Sequence, residues 1–247
     1  MWELYDRLIE NIPDDIPVAE CVSGEFWSYV RAGEYAGVAM TVKENPDDNE
    51  SSINYTGMSL KQLAEYSKSW NFKEASLGVA AINAFYNTED KIFRDSVTID
   101  EGEGKEAFML YKDKVKGKKV AVIGHFPTIQ SELGSICDLS ILERRPQKGD
   151  YPDPACEYIL PDQDFLFITG VTLINKTLPR LLQIVSDHCE VVMVGPSVPL
   201  TKIMYDHGAD ALSGFYVKDK EKMKDFVGTG NNFSIFAAGQ MVNITKK

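Results

Sequence analysis

The stretch VAVIGHFP, residues 120–127, decides the fold. Four apolar β-formers run into Gly124, and a histidine, a phenylalanine and a proline follow. An apolar run closed by glycine reads as a buried strand turning into a helix. Pro127 suits the first helical position, where its missing N–H costs nothing. In α/β proteins such a turn is where phosphates and nucleotides bind, because the helix N–H groups face the ligand. A GxGxxG fingerprint would need glycine at 124, 126 and 129, but Phe126 and Ile129 stand at the last two positions. Phe126 would hinder close approach of a pyrophosphate, so classical NAD or FAD binding is disfavoured.

Downstream, strand and helix patterns alternate. Strand candidates are 119–124, 137–142, 164–169, 190–195, 211–217 and 233–237. Helices fall near 127–134, 153–160, 172–187, 199–207 and 218–227. Apolar runs separated by amphipathic helices predict a parallel sheet covered on both faces, hence a Rossmann-like doubly wound α/β domain over 113–247.

Upstream the pattern changes. Trp2, Leu4, Tyr5, Leu8 and Ile9 recur at helical spacing. Residues 18–43 read as a small antiparallel sheet punctuated by Gly24, Gly33 and Gly37. A polar loop (44–52) precedes two helices, each opened by a capping-box pattern, Ser59 with Gln62 and Asn71 with Glu74. The second is rich in small residues, and Asn83 lies within it among Ala81, Ile82, Ala84 and Phe85. An asparagine in an apolar helix needs a partner, and the boundary to the second domain is the favoured place for one. The same small residues could equally support contact with a second copy, a homo-oligomer. Residues 87–112 read as irregular and charged, and 112–119 as a linker. The first domain is therefore expected to be a small α+β unit over 1–112.

Charge separates the same two regions. Residues 1–112 hold 21 acids and 10 bases, and 113–247 hold 16 of each, for a net charge of −11. Neither half has the positive field that draws nucleic acid. No apolar run reaches the ~18 residues of a membrane span, and the N-terminus is acidic and amphipathic rather than signal-like. These features point to the cytoplasm. The four cysteines are scattered and read as small buried hydrophobes.

Ligands of open parallel sheets bind beyond the carboxyl ends of the strands. That rule collects Gly124, His125 and Phe126; Glu143 with Arg144 and Arg145; Thr169, Gly170, Thr172 and Asn175; and Gly195, Pro196 and Ser197. Thr172 reads as the N-cap of the next helix. Glu143 stands 19 residues beyond Gly124, about where a Rossmann domain places the acid that holds a ribose. His125 is the one histidine at a ligand edge and could be a metal ligand, a general base or a hydrogen-bond donor. His125, Glu143 and Cys156 all border strand ends and could meet around a divalent metal, although no close Cys/His spacing marks a zinc site. His207 reads as a cation at a helix C-terminus.

The segments SLGVAAINAFYN (76–87), VAVIGHFP (120–127), LSILERRP (139–146), LPDQDFLFITGVTLINKTLPRLL (160–182) and VVMVGPSVPL (191–200) together resemble an uncharacterised prokaryotic family labelled "putative heavy-metal chelation". The resemblance spans nearly the whole chain. It implies an enolase N-terminal-like first domain, a Rossmann-like second domain and a cleft between them. By position, Asn83, His125, Glu143, Thr169, Gly170, Asn175, Gly195, Pro196 and Ser197 would line that cleft. The enolase likeness is one of fold, since no barrel and no trio of magnesium-binding carboxylates is present. A role near heavy-metal or corrinoid cofactor metabolism follows only from the family association. Three functions compete. The first is binding of a small anionic or metal-associated ligand in the cleft. The second is an enzyme using a nucleotide-type cofactor, S-adenosylmethionine sooner than NAD. The third is an interaction protein docking through its acidic first domain.

Overall fold

The computed structural model describes residues 2–44, 54–98, 107–231 and 233–246. The expected 44–52 loop falls almost wholly outside them. Helix α1 (Glu3–Glu10) buries Leu4, Tyr5, Leu8 and Ile9 on one face. Strands β1 (Glu20–Ser23), β2 (Trp27–Ala32) and β3 (Tyr35–Met40) form a three-stranded antiparallel sheet. Helices α2 (Leu60–Glu65) and α3 (Phe72–Tyr86) follow. At α2 the capping box is complete in both directions. At α3 only half forms: Asn71 accepts from the Glu74 N–H, but the Glu74 carboxylate is taken by Ser69.

The small sheet is covered on both faces. Val30, Ala32 and Ala39 join the main core with α3. Trp27, Tyr29, Ala36 and Val38 pack with Phe215, Met223, Val227 and Ile235 from the second half of the chain. Alternate residues of a strand face opposite sides, so continuous apolar strands are the signature of this sandwiching.

The stretch expected to be irregular is ordered where it is described. It contains helix α4 (Glu89–Asp95), strand β4 (Ser96–Thr98) and helix α5 (Ala107–Tyr111). Next come β5 (Lys119–Ile123), α6 (Ile129–Leu133), β6 (Asp138–Glu143), β7 (Tyr151–Pro152), α7 (Cys156–Ile159) and β8 (Phe165–Thr169). Then follow α8 (Val171–Ile174), α9 (Leu178–Ile184), β9 (Glu190–Val194), α10 (Lys202–Asp206), β10 (Ala211–Val217), α11 (Lys220–Thr229) and β11 (Gly239–Lys246). The segment 112–119, read as a linker, buries Val115 completely beneath the sheet.

The eight-stranded sheet has the order β4-β11-β10-β9-β8-β5-β6-β7. From β10 to β7 every pair is parallel. Counted from β5, that part reads 3-2-1-4-5-6, the Rossmann order, with its switch point between β5 and β8. The expectation of an all-parallel sheet fails at one side, where β11 is antiparallel to β10 and to β4. The strand expected at 233–237 is a 3-10 helix, Ser234–Ala238. Local bonds turn the chain there: Phe233 N–H donates to Asn231 Oδ1, and Ser234 Oγ donates to Asn231 O. The helix expected over 172–187 breaks into α8 and α9 around Lys176, whose φ is +66°. Among the described residues no helix is long and apolar enough to cross a membrane.

Candidate functional site at the sheet switch point

At the end of β5, Gly124 has φ +104°, a conformation that favours glycine, and a Cβ there would press on Thr169 at 3.1 Å. This turn puts the His125 backbone N–H 3.0 Å from Glu143 Oε2. Glu143 Oε1 accepts from the Arg145 N–H at 3.0 Å. Each oxygen of the carboxylate thus braces the turns after β5 and β6, and this bracing is the role the geometry gives it. Gln147 N–H and the His125 ring meet on one buried oxygen, Asp150 Oδ2: Gln147 donates at 2.9 Å, and His125 Nδ1 lies 2.9 Å away. The Asp150 side chain is 3% exposed and the His125 side chain 25%. An imidazole whose Nδ1 faces a carboxylate carries its proton on that side, so Nε2 presents a lone pair outward.

The first part of the chain reaches this edge. Arg145 donates to the Lys43 carbonyl at 3.0 Å, and Arg144 pairs with Glu44 at 2.9 Å. Arg144 also lies 5.9 Å from the centre of the Phe72 ring, at the start of α3. Lys176 approaches the same ring at 5.2 Å and donates to the carbonyls of Ser69 and Ile174. Burial pushes its ammonium down to about 8.

Other expected site residues have different surroundings. Phe126 packs edge-on against Phe108 of α5, at 5.1 Å. Thr172 does not cap α8; its hydroxyl donates back to the Thr169 carbonyl at 2.7 Å. Asn175 accepts from the N–H and the hydroxyl of Thr177, a local turn that spends its side chain on the chain itself. Gly170 packs against the backbone of Ser197 and Val198, with no room for a Cβ. Gly195 turns the chain at φ +107°. Cys156 is 5% exposed in the main core, and burial raises its thiol to about 12.

Asn83, Pro196 and Ser197 belong to a seam between the two parts. The buried Asn83 amide donates to Val38 O at 2.9 Å and to Pro196 O at 3.3 Å. Met40 N–H donates to Ser197 Oγ at 2.9 Å. Asn87, one turn beyond Asn83, holds the seam more firmly: its amide donates to Val198 O and Phe215 O and its oxygen accepts from Leu200 N–H. Sequence reading missed Asn87, although two asparagines at i and i+4 share a helix face. It also missed Asp150, which no spacing marks, and Lys176. His207 departs from its expected role: burial lowers its pKa first and Arg7 second, so the neutral ring is favoured, and its Nε2 is buried without a hydrogen bond.

A metal centre built wholly from protein side chains does not fit the described residues. Among the described residues no group of three or more His, Cys, Asp or Glu side chains is arranged to hold an ion. His125 with Asp150 is instead a single oriented imidazole.

Comparison with known proteins agrees with this architecture. Residues 106–246 match the model of the DUF364 family, described as "Putative heavy-metal chelation", and residues 5–86 match DUF4213, which carries the same description. An uncharacterized protein of Methanocaldococcus jannaschii is 29% identical over 233 residues, 87% of this chain and 85% of that protein. The crystal structure of a DUF364 protein of unknown function from Desulfitobacterium hafniense is similar with a TM-score of 0.90 and 41% identity, covering 100% of this chain and 99% of that one. A second DUF364 crystal structure, from Pyrococcus horikoshii and also of unknown function, shares the fold at a TM-score of 0.81 and 23% identity over 98% of each chain. The chain belongs to the DUF364 family, whose description is "Putative heavy-metal chelation".

Proposed function

We propose that the switch-point edge binds a small metal-associated ligand, with His125 Nε2 as the one ligand the protein supplies to the metal. The observation that carries this reading is the His125–Asp150 pair, 2.9 Å apart at the crevice where open α/β sheets bind their ligands. Metal-ligating histidines characteristically donate their other ring N–H to a carboxylate, which fixes the tautomer and raises the basicity of the free nitrogen. One oriented imidazole cannot hold a bare ion tightly. It can fill an open coordination position on a metal that arrives with its own chelator. That division of labour reconciles the family description with the lack of a three-residue cluster among the described residues. The nucleotide-cofactor reading has less support, because both Glu143 oxygens are engaged by backbone N–H groups.

Nickel nitrilotriacetate, which keeps coordination positions open, is the probe for the test. The protein should bind it in a saturable way, and His125→Ala should abolish the tight phase. Replacing the exposed His188 should leave that phase unchanged. Equal binding by the parent protein and His125→Ala would sink the reading.

A further inference from the structure

Lys176 stands where a glycine is expected. It follows α8 and the Asn175 cap, in the connection that leaves β8 at the switch point. Its φ is +66°, and among the described residues it is the one residue other than glycine with a positive φ. Helices that end in this left-handed conformation favour glycine there, because a Cβ is strained. A lysine held in such a place points to a use for its side chain. The half-buried residue reaches across to the first part of the chain: Nζ donates to the Ser69 carbonyl, and also to the Ile174 carbonyl at 2.7 Å. Phe72 (8% exposed) and Trp70 (61% exposed) wall it, with ring centres 5.2 and 5.8 Å from Nζ.

No carboxylate pairs with this nitrogen among the described residues, and burial alone lowers its affinity for a proton, to a pKa of about 8. The charged neighbours are committed elsewhere. Glu74 accepts from the Ser69 hydroxyl at 2.6 Å, and Arg144, which shares the Phe72 ring, pairs with Glu44 at 2.9 Å. An ammonium has three N–H donors and no acceptor, whereas the neutral amine has two N–H donors and one lone pair. The two carbonyls match the donors of the neutral amine, and no described group donates to its lone pair. At pH 7 about a tenth of amines with a pKa near 8 are neutral, against roughly one in 2,500 for an ordinary lysine near ~10.4. A desolvated lysine of this kind is a nucleophile toward carbonyl carbon.

We propose that Lys176 is a covalent attachment site for a small aldehyde with a flat apolar body, held as an imine beside Phe72 and Trp70. The Nζ lone pair adds to the carbonyl carbon. The π pair moves to the oxygen, which takes one proton from the nitrogen to give a carbinolamine. The nitrogen lone pair then expels the hydroxide, and the second N–H proton joins it as water. One water departs for each C=N bond formed, and no oxidant or reductant takes part. The rings supply apolar surface to the bound body. Nothing in this chemistry uses His125, so it stands apart from the metal-associated reading.

Benzaldehyde is the probe, with cyanoborohydride reducing any imine to a stable benzylamine for peptide mapping by mass spectrometry. In the full chain at about pH 7, Lys176 should be labelled about tenfold faster than the exposed Lys148, because its gain in neutral fraction outweighs the lower nucleophilicity of a weaker base. That advantage should shrink as pH rises from about 7 to about 10, where ordinary lysines also become neutral. Acetaldehyde, which lacks the ring, should show a smaller advantage than benzaldehyde. Lys176→Arg keeps a cation in place and should lose the fast adduct while labelling elsewhere stays the same. His125→Ala should be labelled at Lys176 as the parent protein is, which separates this site from the metal-associated reading. The proposal is overturned if Lys176 reacts no faster than Lys148 at about pH 7, or if its advantage does not change with pH. It is also overturned if Lys176→Arg keeps the fast adduct, or if acetaldehyde shows as large an advantage as benzaldehyde.

Discussion

The seam around Asn83 and the sheet edge around His125 use the same kinds of residue to opposite ends. At the seam, Asn87 meets three backbone groups, Asn83 meets two, and Ser197 meets the Met40 N–H. Most of these bonds join one part of the chain to the other. Asn83 also donates to Val38 within the first part, and its Oδ1 is buried without a hydrogen bond among the described residues. At the edge, Glu143 and Asp150 are consumed too, but only to aim a ring whose outer nitrogen stays available. Polar residues between two domains are thus no guide to a ligand. The useful sign is a side chain fixed on one side and open on the other.

The sharpest way to break this contrast is Asn87→Ala. It strands three buried backbone groups, each costing about 1–3 kcal/mol, so a loss of at least about 3 kcal/mol is expected in urea unfolding. A loss below about 1 kcal/mol would mean that the seam does not depend on this side chain. Gly37→Ala comes next. Its Cβ would fall 2.1 Å from the Ala84 backbone nitrogen, where α3 crosses β3. Overpacking of that kind costs about 1–3 kcal/mol, and chemical denaturation should place the variant near the top of that range.

Asp150→Asn addresses the edge. Loss of an orienting carboxylate typically weakens a histidine–metal bond 10–100-fold, so nickel nitrilotriacetate affinity should fall by about that factor. The seam should not respond, and the unfolding midpoint should move less than it does for Asn87→Ala. The smallest effect expected is that of Lys176→Met. Burial holds the Lys176 ammonium down to about 8, whereas an unfolded lysine titrates near ~10.4. Between these values the native chain binds fewer protons than the unfolded one, so this group's stability contribution rises with pH and its penalty is full below pH 8. Because the side chain is partly exposed, the rise is at most about 1 kcal/mol. Parallel unfolding curves at pH 8 and pH 10 should show Lys176→Met lacking this rise.

Legibility in the sequence followed the range of the forces involved. Apolar runs such as 119–124 and 211–217 declare their burial residue by residue, and the parallel core of the sheet could be read from them. Gly124 and Glu143 could be brought together by the strand-end rule alone. Strand β4 could not be seen, because three residues after a charged helix carry too short a pattern. FSIFA at 233–237 reads as a strand, but the chain coils into a 3-10 helix over Ser234–Ala238 instead, because Asn231 captures the chain beside it. Asp150 was hidden for a related reason. Its position depends on Gly149 at φ +104° and on the return of the loop after Arg145, and no periodicity records either. Asn175 shows the converse: its polarity drew it into the site list, but its needs are met within two residues.

Strand β11 fits between β10 and β4, pairing Leu212 with Ile244 on one side and Ile244 with Thr98 on the other. A ribosome makes β4 roughly 140 residues before β11. The nascent sheet therefore carries an empty slot, with both neighbours exposing unpaired backbone, until its last strand leaves the exit tunnel. Separations of this length slow the closing step, and open strand edges invite pairing with other chains. For this protein the interval between translating Thr98 and translating Lys246 is the window in which a chaperone has the most to protect.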